Sequence, residues 1–148
     1  MEDSFFTSKK AAEITGSTLR QLQYWREKEV VVPTISASGT GRSVYYSLPD
    51  LLKLAIIQYC LNAGINFELA ATTIKQFENE KFFTGTSFDF DIIQHLDMRY
   101  MFSFSEETGK LELGNFDLKK AYSSLKTGKP VIPVCLDDIY QQLAEKID

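Results

Sequence analysis

The chain is poor in most features that would mark it as something other than a small soluble domain. It holds only two cysteines in 148 residues, Cys60 and Cys135, far apart and each in apolar surroundings. That excludes a disulfide framework and a cysteine-cluster metal site, and leaves buried free thiols as the expectation. The single histidine, His95, excludes a multi-histidine ligand set and reads as a surface or packing residue. No glycine-rich phosphate loop and no nucleophile–base pattern is present, so neither an enzyme nor a cofactor is expected. Long hydrophobic runs are missing too. The most apolar stretch, LLKLAIIQYCLNAG (51–64), is too short and too interrupted to cross a bilayer. The first ten residues, MEDSFFTSKK, have no apolar signal core, which makes the expected location cytoplasmic.

Positive charge is scarce as well. Sixteen Lys and Arg stand against twenty Asp and Glu, a net charge of −4, and a protein that binds a polyanion needs cations. The deficit is not uniform. Residues 1–64 carry seven basic and six acidic side chains, whereas residues 65–148 carry nine and fourteen. Lys9, Lys10, Arg20, Arg26, Lys28 and Arg42 all fall in the first 42 positions. What the chain does have is a globular composition, 44% hydrophobic and 13% aromatic, sufficient for one domain or two small ones.

The N-terminal third alternates short helices with turn signals. SKKAAEIT reads as a helix capped by Thr7 or Ser8, with Ala11, Ala12 and Ile14 as its apolar face. Gly16 makes the turn, where a left-handed backbone is cheap for glycine. Ser17 is then a natural cap for a second helix running through TLRQLQYWREKE, with Leu19, Leu22 and Trp25 pointing inward. Thr18, Arg20, Gln21, Gln23 and Tyr24 are left on the outside. After Pro33, TISASGTGRSVYY reads as a hairpin with its turn at Ser38 to Gly41. Ser47-Leu48-Pro49-Asp50 is a capping box, opening a helix with Leu51, Leu54, Ile57 and Leu61 on one side and a stop at Gly64. Asn66 caps a further helix, with Leu69, Ile74 and Phe77 facing inward.

The second half has another rhythm. FFTGTSFDFD (82–91) reads as a junction. RYMFSF and KLELGNF flank EETG as a β-hairpin turning at Gly109. Asp117 caps a short helix, VIPV is at best an edge strand because of Pro130 and Pro133, and Asp137 and Asp138 open a last helix with an Ile139, Leu143, Ile147 stripe. That stripe suits a second subunit or another protein; it could equally close the module's own core. Phe82, Phe83, Phe88, Phe90, Tyr100 and Phe102 could line a small-molecule pocket, though aromatics at this density are more often core. The expected architecture is mostly α with small β: a winged helix-turn-helix domain over 1–80, a junction over 81–91, and a compact α+β module over 92–148 for dimerisation, a partner or an effector.

Residues 5–77 resemble the DNA-binding domain of the MerR family of bacterial transcription regulators. The resemblance runs in order through Thr7, Ala12, Thr15, Gly16, Leu19, Arg20, Leu22, Tyr24, Pro33, Gly41, Arg42, Tyr45 or Tyr46, Ser47, Asp50, Leu54, Ile57, Gly64 and Ile65. It implies a recognition helix over Thr18–Lys28 lying in the major groove of duplex DNA. Arg20 and Tyr24 would be its main contacts, with Arg42 and Tyr45 or Tyr46 reaching the backbone from the wing. Arginine forks onto guanine edges or phosphate, and tyrosine hydroxyls and amides suit phosphate oxygens. Thr7, Ser17, Thr18, Gln21 and Gln23 complete the candidate set. Arg26 and Lys28 are either phosphate clamps or partners of Glu27 and Glu29. Two positions depart from the family: Gln23 stands where a second arginine is common, and Glu29 where a glycine is. The family's long dimer helix is absent or short here, because the helix FELAATTIKQFENEK (67–81) is followed by the Phe-rich break rather than a heptad run. The function implied is a sequence-specific, dimeric transcription regulator acting on promoter DNA. The alternatives are a protein-interaction adaptor that keeps the winged fold and an architectural or excision-type DNA binder.

Overall fold

The computed structural model describes residues 5–36, 44–78 and 99–147. The N-terminal elements are β1 (Phe5–Thr7), α1 (Ser8–Thr15), α2 (Leu19–Glu27), β2 (Ile35–Ser36), β3 (Val44–Ser47), α3 (Leu48–Asn62) and α4 (Phe67–Glu78). Local chemistry sets most of these boundaries. The Thr7 hydroxyl accepts from Lys10 N at 3.1 Å and starts α1, and Gly16 ends it at φ +74°. Ser47 and Asp50 form the expected capping box, with Pro49 in the first turn of α3. Asn66 Oδ1 accepts from Leu69 N at 2.8 Å at the start of α4. Strand β1 was not legible in the sequence. It pairs with β3, which also pairs with β2, giving the order β1-β3-β2.

The second half contributes β4 (Arg99–Ser105), β5 (Lys110–Asn115), α5 (Leu118–Lys126), β6 (Val131–Cys135) and α6 (Leu136–Ile147). The three strands form an antiparallel sheet of order β5-β4-β6, with Gly109 at φ +70° in the hairpin turn. Strand β6 lies at an edge, where Pro133 can sit opposite Met101. Asp117 caps α5 by accepting from Lys120 N at 3.2 Å.

α3 dictates how these pieces assemble. Its Leu51, Leu52, Leu54, Ile56, Ile57 and Cys60 are each at most 1% exposed, so it is apolar around most of its circumference rather than on one side. A helix of that kind must be covered from every direction. α1, α4, β3 and α6 all pack on it. The Ile139, Leu143 and Ile147 stripe of α6 therefore does not stand open for a second subunit or a partner. Ile139 and Leu143 are 9% and 3% exposed within the chain's own core, with Ile147 packed at its margin. Fully burying a side chain of that size contributes about 1.5–3 kcal/mol, which an exposed stripe would forgo.

The core runs without a break from Ala11 and Ile14 of α1 to Leu143 of α6. The Tyr59 hydroxyl donates to the Pro133 carbonyl and ties α3 to β6. Phe102 is fully buried, and Tyr100 meets Phe77 edge-on with ring centroids 4.9 Å apart, so both serve as core rather than pocket wall. Phe82, Phe83, Phe88, Phe90 and His95 lie outside the described residues. Both cysteines are free. Burial pushes the Cys60 thiol up to about 11, which keeps it protonated and inert, and Cys135 is raised for the same reason though only half-buried. Among the described residues, no helix is long and apolar enough to cross a membrane.

Candidate nucleic-acid interface

The outward face of α2 is set by how the preceding turn is held. Thr18, and not Ser17, caps the helix. Its hydroxyl accepts from Gln21 N at 3.0 Å while Gln21 Oε1 accepts from Thr18 N at 3.0 Å. Ser17 points inward instead, only 7% exposed, at 2.9 Å from the Thr15 hydroxyl. Gln58 of α3 then closes the group, donating to Gln21 Oε1 at 2.8 Å and to Ser17 Oγ at 3.2 Å. Two residues read from the sequence as DNA contacts, Ser17 and Gln21, thus have structural partners already. Gln58 was missed; as a polar residue inside an apolar helix it carried the only available signal.

Leu22 and Trp25 turn inward at 2% exposure each, which orients the rest of the helix. Leu19, expected beside them, is 56% exposed, because at the first helical position it lies off the packed stripe. The free face carries Arg20, Gln23, Tyr24 and Glu27, at i, i+3, i+4 and i+7. Among the described residues Arg20 has no ion pair, so its guanidinium fork is available. Tyr24, 45% exposed, rests against the Phe67 ring with centroids 5.4 Å apart, and Lys28 Nζ stands 5.6 Å from the Tyr24 centroid. Phe67 at the start of α4 thus positions a side chain on α2, a contact no local pattern announces. Gln23 Nε2 donates to Glu27 Oε2 at 3.3 Å, so the glutamine in the arginine position is engaged by a carboxylate. Arg26 is half-buried and close enough to Tyr46 to oppose the upward push that burial gives that phenol.

Beside α2, the small sheet resolves the tyrosine ambiguity. Tyr46 is 2% exposed and belongs to the core, whereas Tyr45 is 37% exposed. Thr7 and Ile35 are both cross-strand partners of Tyr45, so the three line one exposed face across β1, β3 and β2. Gly41 and Arg42 lie outside the described residues. Elsewhere, Lys53 is held at 3.0 Å by Glu78 and is not a free cation. At the β6–α6 corner Cys135, Asp137 and Asp138 bring potential ligand atoms within 4.8 Å of one another. Arg99 already pairs with Asp137 at 3.0 Å and supplies the positive charge there.

The model described as "MerR HTH family regulatory protein" matches residues 6–78, from β1 to the end of α4. Those residues are a MerR-family helix-turn-helix domain. Similar proteins from Mycobacterium bovis and Mycobacterium tuberculosis are described as uncharacterized HTH-type transcriptional regulators; each is 41% identical over 70 residues. The similarity covers 45% of this chain and 31% of those proteins, so the chain spans under a third of the relatives it matches. The second half has no counterpart in these matches.

The MerR-type domain gives Glu29 its meaning. Glu29 is the only described non-glycine residue with positive φ, at +58°. It ends α2 in a Schellman motif, with Val30 N on Trp25 O at 2.9 Å and Glu29 N on Arg26 O at 3.0 Å. A left-handed glutamate costs about 1–2 kcal/mol, part of which glycine's greater freedom in the unfolded chain would offset. Glu29→Gly is therefore expected to stabilise the fold by about 0.5–1 kcal/mol in urea unfolding. A loss of stability would show that the carboxylate makes a compensating interaction.

Proposed function

We propose that the chain is a sequence-specific, dimeric DNA-binding transcription regulator of the MerR type, acting on promoter DNA in the cytoplasm and not as an enzyme. The observation that carries this reading is the free Arg20 beside Tyr24 on the outward face of a rigidly capped helix, within a MerR-family domain. Arg20 would fork onto a guanine edge or phosphate in the major groove, and Tyr24 and Lys28 would reach the adjacent backbone. Tyr45 and Thr7, with Arg42 from the wing, would meet the flanking phosphates, and Thr18 would add its hydroxyl. The relatives' description as HTH-type transcriptional regulators supports the same role. Distortion of the promoter between two half-sites would fit the family's mode of action.

Binding to a fluorescent duplex over a series of salt concentrations tests this. With roughly three to five phosphates met per chain, log affinity is expected to fall against log salt with a slope of about −3 to −4.5 for each chain bound, and about twice that for the dimer. A chain that ignores duplex DNA at about 50 mM salt would instead fit the adaptor reading, which the Gln23–Glu27 engagement favours. Uniform affinity for unrelated sequences would point to an architectural binder.

A further inference from the structure

Among the described residues, the three most exposed large apolar side chains all lie on α5: Leu118 at 71%, Leu125 at 69% and Tyr122 at 64%. They recur at i, i+4 and i+7, which puts them in one stripe. Phe116, 46% exposed, stands just ahead of the helix. α5 rests on β4 and β6, and the only side chain it buries is Ala121. An amphipathic helix ordinarily turns its apolar stripe inward. This one leaves it in water, as interaction surfaces do. The α6 stripe, first read as the partner surface, is covered by α3 of its own chain.

The charge around the α5 stripe selects what can cover it. Residues 65–148 are acidic as a whole, yet four of their nine basic side chains fall between Phe116 and Pro130: Lys119, Lys120, Lys126 and Lys129. The one carboxylate in that span, Asp117, accepts from Lys120 N at 3.2 Å. Lys129 Nζ lies 4.6 Å from the Phe104 ring centroid. Lys119, Lys120 and Lys126 have no ion pair among the described residues. Lys119 and Lys126, seven residues apart, border one edge of the stripe, and Lys126 Nζ is 5.8 Å from the Tyr122 ring centroid. Lysine stems widen the apolar strip along that edge while their heads stay in water.

Each class of occupant meets this face differently. A second copy would set its own lysine row near this one. A phosphate backbone would satisfy the ammonium groups but leave the leucines against charged oxygens. A helix with apolar residues at the same spacing, and Asp or Glu beside them, satisfies both. Area agrees. The stripe with Phe116 offers on the order of 400 Å², about half of one partner's share of a standard interface. That suits a single short helix and a transient contact. We propose that α5 is a docking face for an acidic amphipathic helix of another protein. The partner's apolar residues would rest on Leu118, Tyr122 and Leu125, and its carboxylates would face Lys119 and Lys126.

The test uses the full chain and no DNA, so its outcome is independent of whether α2 reads a duplex. The probe is a fluorescein-labelled helical peptide of Leu, Ala and Glu, with Leu at the spacing of the stripe and Glu on both flanks. A second peptide carries Lys at every Glu. Anisotropy is expected to give a Kd of roughly 10–100 µM for the Glu peptide, and about tenfold weaker binding or less for the Lys peptide. Lys119→Glu with Lys126→Glu should reverse that preference. Leu118→Ser with Leu125→Ser should abolish binding of both peptides with unchanged circular dichroism, since both positions are largely in water. A chain that ignores the Glu peptide up to about 1 mM overturns the proposal. So does equal affinity for the two peptides, or a preference that the lysine substitutions leave in place. A chain that ignores the Glu peptide but sediments with phosphatidylglycerol vesicles, and stops doing so in the leucine variant, would make α5 a lipid-contacting face instead.

Discussion

Arg20→Ala is expected to reduce affinity for a specific duplex roughly tenfold to a hundredfold, the range for losing one bidentate arginine contact. Fold stability should hardly change, because Arg20 is exposed and forms no ion pair among the described residues. Fluorescence anisotropy on matched and scrambled duplexes separates two roles. A base contact loses the preference for the matched duplex, whereas a phosphate contact weakens both equally and lowers the salt slope by about one. Adding Arg42→Ala is expected to remove the remaining binding. If the single and double variants bind like the parent chain, α2 is not the reading helix.

Asp50→Ala is expected to have the largest effect on stability. Asp50 is 4% exposed, and its Oδ2 accepts from Ser47 N at 2.9 Å, Thr34 N at 2.9 Å and Thr34 Oγ1 at 2.7 Å. One carboxylate oxygen thus joins the start of α3 to the segment entering β2. Its removal strands the buried Ser47 N–H and unpairs the more exposed Thr34 donors, at a cost of about 2–3 kcal/mol in urea unfolding. Asp50→Asn keeps an acceptor and should lose about half as much. A loss below about 1 kcal/mol for the alanine variant would show that water replaces the carboxylate. Because Thr34 anchors the wing's first strand, the alanine variant should also bind DNA less well at temperatures where it remains folded.

The sequence announced whatever local chemistry decides. Ser47, Asn66 and Asp117 cap helices where their side chains alone suggested, Thr7 takes the cap that Thr7 and Ser8 had shared, and Gly16 and Gly109 take the left-handed turns. Wherever two candidates were adjacent, sequence alone could not choose. Thr18 takes the cap because Gln21 stands three residues on to complete the box, while Ser17 is drawn inward by Gln58, 41 positions away. Tyr45 and Tyr46 differ only in strand register, which β1 and β2 set from outside. The fate of the α6 stripe could not be read locally either. An apolar stripe looks the same whether its cover comes from α3 or from another molecule. α5 is the converse case: its stripe is as regular, yet among the described residues nothing covers it.

The all-round apolar surface of α3 also bears on how such a protein can be rearranged. In a modular regulator the reading head can be cut out and grafted onto a different output domain. Here the helix that closes the head comes from the far end of the chain. A graft ending after α4 would carry an uncovered flank of α3 and should aggregate, whereas one that brings α6 along by a linker should fold.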